Sequence, residues 1–214
     1  FNKGFKNCEK QLCENKSHFD IGDAVNNAFQ DAKKRGYRNI LVLEDDFFFS
    51  TKITDRDVQR ISKFVTTKPF ECYTLGCMPT FTIPTASPFH LRVGQFAGAH
   101  AMIFSPDMRE HYMKAYSNDP CSIGHVDMYY WKMYTCHAYV KPIAYQLFPH
   151  TENMDNWPWY GRLLVKCMPT ISQRAEPWYS ICYTISLFPA VLTIVLALYL
   201  TIRLMKTATS ANLS

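Results

Sequence analysis

Residues 39–50 read NILVLEDDFFFS. Four aliphatic residues, Ile40 to Leu43, predict a strand that is apolar on both faces, so we expect it at the centre of a covered sheet. Three carboxylates, Glu44, Asp45 and Asp46, follow at once and precede three phenylalanines. Burying and crowding carboxylates is costly. The arrangement therefore calls for a chemical reason.

The segments around this strand alternate between helical and extended patterns. Apolar residues recur at the spacing of one helical face over residues 21–34, and Gly36 is placed to end that helix. Three further helices are predicted: at 57–65, after the Ser105-Pro106 cap, and at 126–134. Three further strands are predicted at 72–77, 99–104 and 138–146. Residues 80–94 are rich in proline and threonine and predict a loop. The pattern is typical of a mixed α/β domain, over residues 1–170.

The C-terminal end has a different composition. Residues 177–202 carry no charge and are long enough to cross a hydrocarbon core of about 30 Å. We predict a juxtamembrane linker at 171–176, a single transmembrane helix over 177–203 that projects from the domain, and a short polar tail at 204–214. A buried core helix is the alternative. Lysine and arginine flank both ends, so the charge pattern does not decide the topology; we expect an endomembrane lumen for the domain.

The bulk composition excludes some classes of partner. The net charge is +5 and the basic residues are scattered, which argues against a nucleic-acid surface. The eight cysteines leave two alternatives open, disulfides in a lumenal compartment or a structural zinc site.

The acidic cluster has the spacing of a cation site. Glu44 and Asp46 are two residues apart, so in an extended segment their side chains point to one side. Such oxygens bind a hard divalent cation, Mn²⁺ or Mg²⁺, which could bridge phosphates. A solvated turn is the structural alternative. Local chemistry alone does not separate sugar-nucleotide transfer from phosphatase or other Mg²⁺-dependent phosphoryl chemistry.

Residues 17–50, SHFDIGDAVNNAFQDAKKRGYRNILVLEDDFFFS, resemble the core of glycosyltransferase family 25, the lipooligosaccharide and procollagen galactosyltransferase group. Three later segments are similar to that family in order and spacing: GAHAMIFSPDMREHYM, IGHVDMYYWKMY and VKPIAYQ. Met102 and the Gly124-His125 pair depart from the family pattern. The family's first strand is not in this chain. The resemblance therefore implies a GT-A-type, Rossmann-like fold that lacks its first strand, plus the C-terminal transmembrane helix.

The resemblance also implies an activity. A hexose such as galactose would pass, with inversion, from a nucleotide sugar, a UDP-sugar, to a hydroxyl of a glycan or glycoprotein acceptor. Asp46 would hold Mn²⁺ or Mg²⁺, and Glu44 or Asp45 would reach the ribose or the metal shell. Asp127 is the candidate base, or else a carboxylate at a helix start. His150 is a candidate metal ligand.

Other residues have weaker claims to the same site. His100 and His125 flank it in sequence, and Gln146 could meet the donor or the acceptor. The aromatic residues at 157, 159 and 160 could stack on a sugar or form an interfacial belt. Two rival functions stay open: a catalytically inactive, membrane-bound module that binds a glycan or partner, and a Mg²⁺-dependent phosphotransfer enzyme.

Overall fold

The computed structural model describes residues 18–146 and 175–211. Its α-helices are α1 His18–Lys34, α2 Asp55–Thr67, α3 Pro106–Asn118, α4 Val126–Met133 and α5 Ala175–Ala211, with a 3₁₀ turn at Pro120–Ser122. Its strands are β1 Ile40–Leu43, β2 Phe47–Phe49, β3 Cys72–Thr74, β4 Met78–Pro79, β5 Thr82–Pro84, β6 His90–Val93, β7 Phe96–Ala97, β8 Ala101–Phe104, β9 Cys136–Tyr139 and β10 Ala144–Gln146. His150 and the aromatic residues at 157, 159 and 160 lie outside the described ranges.

Helix starts follow local capping chemistry. The Ser105 hydroxyl accepts a hydrogen bond from the Met108 N–H, and Pro106 occupies the first turn of α3, as the sequence predicts. Thr54 and Asp57 form a reciprocal capping box at the start of α2. These caps fix where each helix begins relative to the neighbouring strand.

Six strands form one mixed sheet in the order β1-β8-β3-β9-β6-β5. β3 and β9 are parallel, and the other neighbouring pairs are antiparallel. β1 lies at one edge: among the described residues it pairs only with β8, and Leu41 is 44% exposed. The prediction that this strand is central in the sheet is therefore wrong. Apolar character identified the strand but could not identify its neighbours.

The sheet is covered on both faces. Side chains alternate across a strand, so adjacent Cys72 and Tyr73 in β3 belong to two different apolar clusters. One cluster contains Phe29 of α1 and Tyr112 of α3. The other contains Ile61 of α2. The domain is thus a mixed α/β structure whose sheet has helices on both sides.

Two predicted segments differ from the structure. Residues 80–94, expected to be a loop, contain the antiparallel strands β5 and β6. Pro84 closes β5 at the sheet edge, where a missing N–H is tolerated; the prolines concealed the strand pattern. The single strand expected over 138–146 is two, because Lys141-Pro142 separates β9 from β10. β10 pairs with β2 in a separate two-stranded ribbon.

Helix α5 has two parts with different surroundings. Its first turns pack on the domain: Tyr179, Tyr183 and Ser186 are buried, and Tyr183 joins the cluster of Phe29 and Tyr112. From residue 188 to residue 205 the apolar side chains are largely exposed. Within the described residues α5 is the one helix long and apolar enough to cross a membrane. The expectation of a helix projecting along its whole length therefore holds only for the later turns, and the limits of the span itself stay a prediction.

Candidate functional site

The acidic residues lie where β1 ends and turns into β2. Asp45 and Asp46 occupy the turn, and the backbone of Glu44 is tied to the start of β8 by a 2.9 Å hydrogen bond from its N–H to the His100 carbonyl. Because β8 is antiparallel to β1, its first residues lie beside the last residues of β1. The turn is thus held at one end of the sheet, the usual place for ligands in α/β folds.

Gln146 joins this turn from the end of β10. The pairing of β10 with β2 places Gln146 opposite Phe47. From there its side-chain amide donates a 3.0 Å hydrogen bond to Glu44 Oε2. Gln146, which the sequence offered as a donor or acceptor contact, therefore orients one of the predicted ligands.

Glu44 sits in an electrostatically unfavourable place for a carboxylate. Burial is the largest cause of a rise in its pKa to about 8. Nearby carboxylates raise the pKa further, in the order Asp127, Asp46 and Asp45. A buried acid among like charges favours its proton unless a cation is bound beside it. The structure thus brings four of the predicted site residues within electrostatic range of one another.

Asp127 reaches this cluster from the first turn of α4. Its Oδ2 accepts a 2.8 Å hydrogen bond from the N–H of Gly98, in the loop before β8. Burial raises the pKa of Asp127, while the backbone N–H groups of Gly98 and Ala99 oppose that rise. The position of Asp127 at the start of α4 therefore does not account for all of its contacts. Its carboxylate also accepts a hydrogen bond from the Gly98 loop and lies near Glu44.

Gly98 is a site residue that the sequence did not single out. Its φ of +85° is in the left-handed region, which glycine adopts without strain. A Cβ there would lie 3.2 Å from His100 Nδ1 and 3.5 Å from Gln146 Oε1. The glycine therefore lets the loop turn towards Asp127 while two site side chains pack against it.

His100 is wholly buried, and neither ring nitrogen has a hydrogen-bond partner among the described residues. Burial lowers the pKa of His100 to about 4; the Ala144 carbonyl is close enough to oppose this but does not complete a hydrogen bond. The imidazole is therefore neutral at physiological pH. Leaving a buried polar group unpaired costs about 1–3 kcal/mol, so this ring is an unusual feature beside an acidic site.

Helix α5 closes the site from one side. Tyr179 packs edge-on against His100 and against Tyr145, with ring centroids 5.7 and 5.3 Å apart. Tyr179 is fully buried in this position. Sequence reasoning missed this contact, because the composition of the helix indicated only a membrane span.

The remaining predicted residues have separate positions. Asp45 is exposed at the tip of the turn, whereas Asp46 is partly buried. His125 is the N-cap residue of α4 but makes no side-chain capping bond. His150 falls outside the described residues, so its predicted role as a metal ligand stays a prediction.

A cleft of about 390 Å³ lies elsewhere, lined in part by Lys52, Lys141 and Glu176. Both lysines are already ion-paired, Lys52 with Glu176 at 3.3 Å and Lys141 with Asp57 at 2.8 Å. None of the predicted site residues lines this cleft. We therefore centre the candidate site on the acidic turn.

The acidic turn suits a cation that shares its ligands with a substrate. Among residues 18–146 and 175–211, no three His, Cys, Asp or Glu side chains converge as a complete protein-built metal site. Mg²⁺ is commonly held by one or two carboxylates together with substrate phosphates and water. Glu44 and Asp46 are two neighbouring carboxylates, and the pKa of Glu44 is strongly raised, so the pair fits that kind of site.

Comparison with known proteins adds no family assignment: no family profile matches the chain, and no curated protein matches it significantly. The resemblance to glycosyltransferase family 25 consequently stays a prediction from the quoted segments.

Proposed function

We propose that the protein is a membrane-anchored glycosyltransferase of GT-A type that uses a nucleotide sugar and a divalent cation. The observation that supports this most is the raised pKa of Glu44, which is partly buried near Asp46 and Asp127 at the end of β1. Such crowding is unfavourable in the free protein and becomes favourable when a cation and a diphosphate enter. The site would then be preorganised for its ligands.

Each site residue has a distinct task in this proposal. Glu44 and Asp46 hold Mn²⁺ or Mg²⁺, and Gln146 keeps the Glu44 carboxylate oriented through its 3.0 Å hydrogen bond. The cation, when bound, neutralises the diphosphate of the leaving nucleotide. Asp45, which is exposed at the tip of the turn, meets the ribose in this proposal.

Asp127 acts as the base that takes the proton of the acceptor hydroxyl. Its raised pKa strengthens it for this task, because a general base works best when its pKa approaches the working pH. The Gly98 N–H fixes the direction of the carboxylate. His100, whose backbone carbonyl accepts a hydrogen bond from the Glu44 N–H, stays neutral and adds no positive charge to the site.

Nucleotide-sugar turnover tests this function. The full chain in detergent should release UDP from UDP-galactose in the presence of Mn²⁺, and a chelator should abolish the release. Asp46→Asn should lose this activity, whereas Asp107→Asn, a control at an exposed aspartate in the first turn of α3, should retain it.

Two results would replace the proposal with a rival. No release of nucleotide from any common nucleotide sugar, together with intact folding, would favour an inactive binding module. Mn²⁺-dependent hydrolysis of simple phosphate esters without sugar transfer would favour a phosphotransfer enzyme.

A further inference from the structure

The hairpin of β5 and β6 has an apolar outer surface. Phe81 is 40% exposed and Ile83 is 44% exposed. The other exposed side chains up to residue 88 are also apolar: Pro84, Ala86 and Pro88. The Phe81 ring packs against Gly94, where a Cβ would come within 2.0 Å of the ring's Cζ. The hairpin therefore presents a fixed apolar surface to its surroundings.

The stretch of chain that carries this surface has no acidic residue. No acidic residue occurs between Glu71 and Asp107, and the single charged residue in that interval is Arg92. Arg92 lies directly opposite Ile83 in the β5–β6 register and is exposed. Side chains directly opposite one another share a face of the sheet. An arginine thus borders the apolar surface, and no carboxylate from this stretch does.

The position of the hairpin follows from its contact with α5. The Thr82 and Ser186 hydroxyls are 3.1 Å apart, and both residues are buried. Only two residues, about 3 Å of helix rise, separate Ser186 from Phe188, which is 65% exposed. Nearer its start, α5 contacts β10 instead, through Tyr179. The contact with the hairpin, at Ser186, is therefore nearer to Phe188 along α5 than the contact with β10, at Tyr179.

We propose that the β5–β6 hairpin rests on the surface of a lipid bilayer, with Phe81 and Ile83 in the interfacial layer and Arg92 facing anionic headgroups. The inference depends on α5 as a membrane span and is independent of the proposed enzymatic activity. A lipid surface is favoured over a protein partner because the hairpin contacts α5 at Ser186, two residues before the exposed Phe188 of the proposed span. Aromatic and aliphatic side chains with a neighbouring cation are the combination that interfacial lipid binding uses.

Site-specific photo-crosslinking tests this contact in the full chain. A benzophenone amino acid replaces Ile83, and the purified protein is reconstituted into vesicles of phosphatidylcholine with phosphatidylserine. A matched control carries the same amino acid at Val58 of α2, an exposed aliphatic position outside the hairpin. A second control at Leu192, exposed in the apolar part of α5, reports successful insertion.

Irradiation should give phospholipid adducts at position 83 at least several-fold more abundant than at position 58, as measured by mass spectrometry. Removing phosphatidylserine, or replacing Arg92 in Arg92→Glu, should reduce the adducts at 83. Lipid adducts at 192 without adducts at 83 would overturn the proposal. Adducts at 83 to a second copy of the chain, in place of lipid, would overturn it as well.

Discussion

Glu44 is a carboxylic acid held where its negative charge is unfavourable. Its pKa rises from 4.5 to about 8 on folding, so the folded protein binds the proton more tightly than the unfolded chain. The protonated Glu44 therefore contributes fully to the free energy of unfolding below about pH 4.5, and this contribution is lost as the pH rises through 8. For this one group the slope is at most about 1.4 kcal/mol per pH unit in that window.

The variant Glu44→Gln should reveal this dependence, because glutamine resembles the protonated acid at every pH. In metal-free protein, urea unfolding should give similar stabilities for the two proteins at pH 5. At pH 8 the variant should be the more stable by on the order of 2–4 kcal/mol. The control Glu110→Gln, at an exposed position on α3, should show no such change with pH. A constant difference between Glu44→Gln and the parent protein from pH 5 to 8 would contradict the account of Glu44.

Asp127 lies within electrostatic range of Glu44, and in the proposed mechanism it has the separate task of a base. Asp127→Asn should therefore lower turnover by about two to four decades, the usual scale for loss of a general base. Binding of Mn²⁺ and nucleotide should stay nearly intact, as measured by calorimetry. The control Asp107→Asn makes the same change in the first turn of another helix. Near-normal turnover in Asp127→Asn would return this residue to the purely structural task of holding Gly98.

Among the secondary-structure elements, α5 has two functions at once. Its first turns complete the core, and its later turns have the composition of a membrane span. Tyr183→Ala should therefore destabilise the domain by about 3–5 kcal/mol, the range for removing a buried aromatic ring. Tyr199→Ala, the same change at a residue that is 57% exposed, should have little effect. Chemical unfolding in detergent measures both, and equal effects would contradict the division of α5.

Deletion from Pro177 onward would leave a soluble domain if the whole of α5 projected from it, but it removes Tyr179, Tyr183 and Ser186 from the core. Such a truncation should express poorly, whereas a chain ending after residue 188 should keep these contacts. Good solubility of the shorter chain would show that the domain does not need them.

The elements that sequence reasoning found are those with strong local signals. The cap at Ser105 and the apolar periodicity of residues 21–34 depend on neighbours within one or two helical turns. The position of β1 at the sheet edge, in contrast, is set by β8, some 60 residues away in the chain. Sheet neighbours and registers are non-local, so composition did not predict them. The strand β5 was missed for the same non-local reason. A sheet tolerates a proline such as Pro84 mainly in an edge strand, and the sequence does not show that β5 is at an edge.

The candidate site likewise combines residues that local patterns predicted with contacts that they could not predict. The carboxylates at 44–46 and Asp127 could be proposed from local patterns and a resemblance. The hydrogen bond from Gln146 to Glu44, between residues 102 positions apart, could not be placed by spacing. Nor could the contact of Tyr179 with His100, because a tyrosine near a predicted span is equally typical of a membrane interface.

For the whole molecule, the docking of α5 fixes the site relative to the proposed span. Tyr179 contacts the site, and it lies nine positions before Phe188, from which no side chain up to residue 205 is buried. This corresponds to about 14 Å along the helix. A domain held in this way would act close to the membrane surface, on acceptors that reach it there.

The proposed function requires the acidic turn to bind a divalent cation together with a nucleotide diphosphate. Electron paramagnetic resonance measures this directly, because the signal of free Mn²⁺ falls when the ion binds. UDP alone complexes part of the Mn²⁺, so it is the reference: the full chain with UDP should lower the free-Mn²⁺ signal further than the same concentration of UDP without protein, and Asp46→Asn should not. A free-Mn²⁺ signal equal to that of UDP alone, or equal Mn²⁺ binding by Asp46→Asn and the parent protein, would contradict cation binding at the acidic turn.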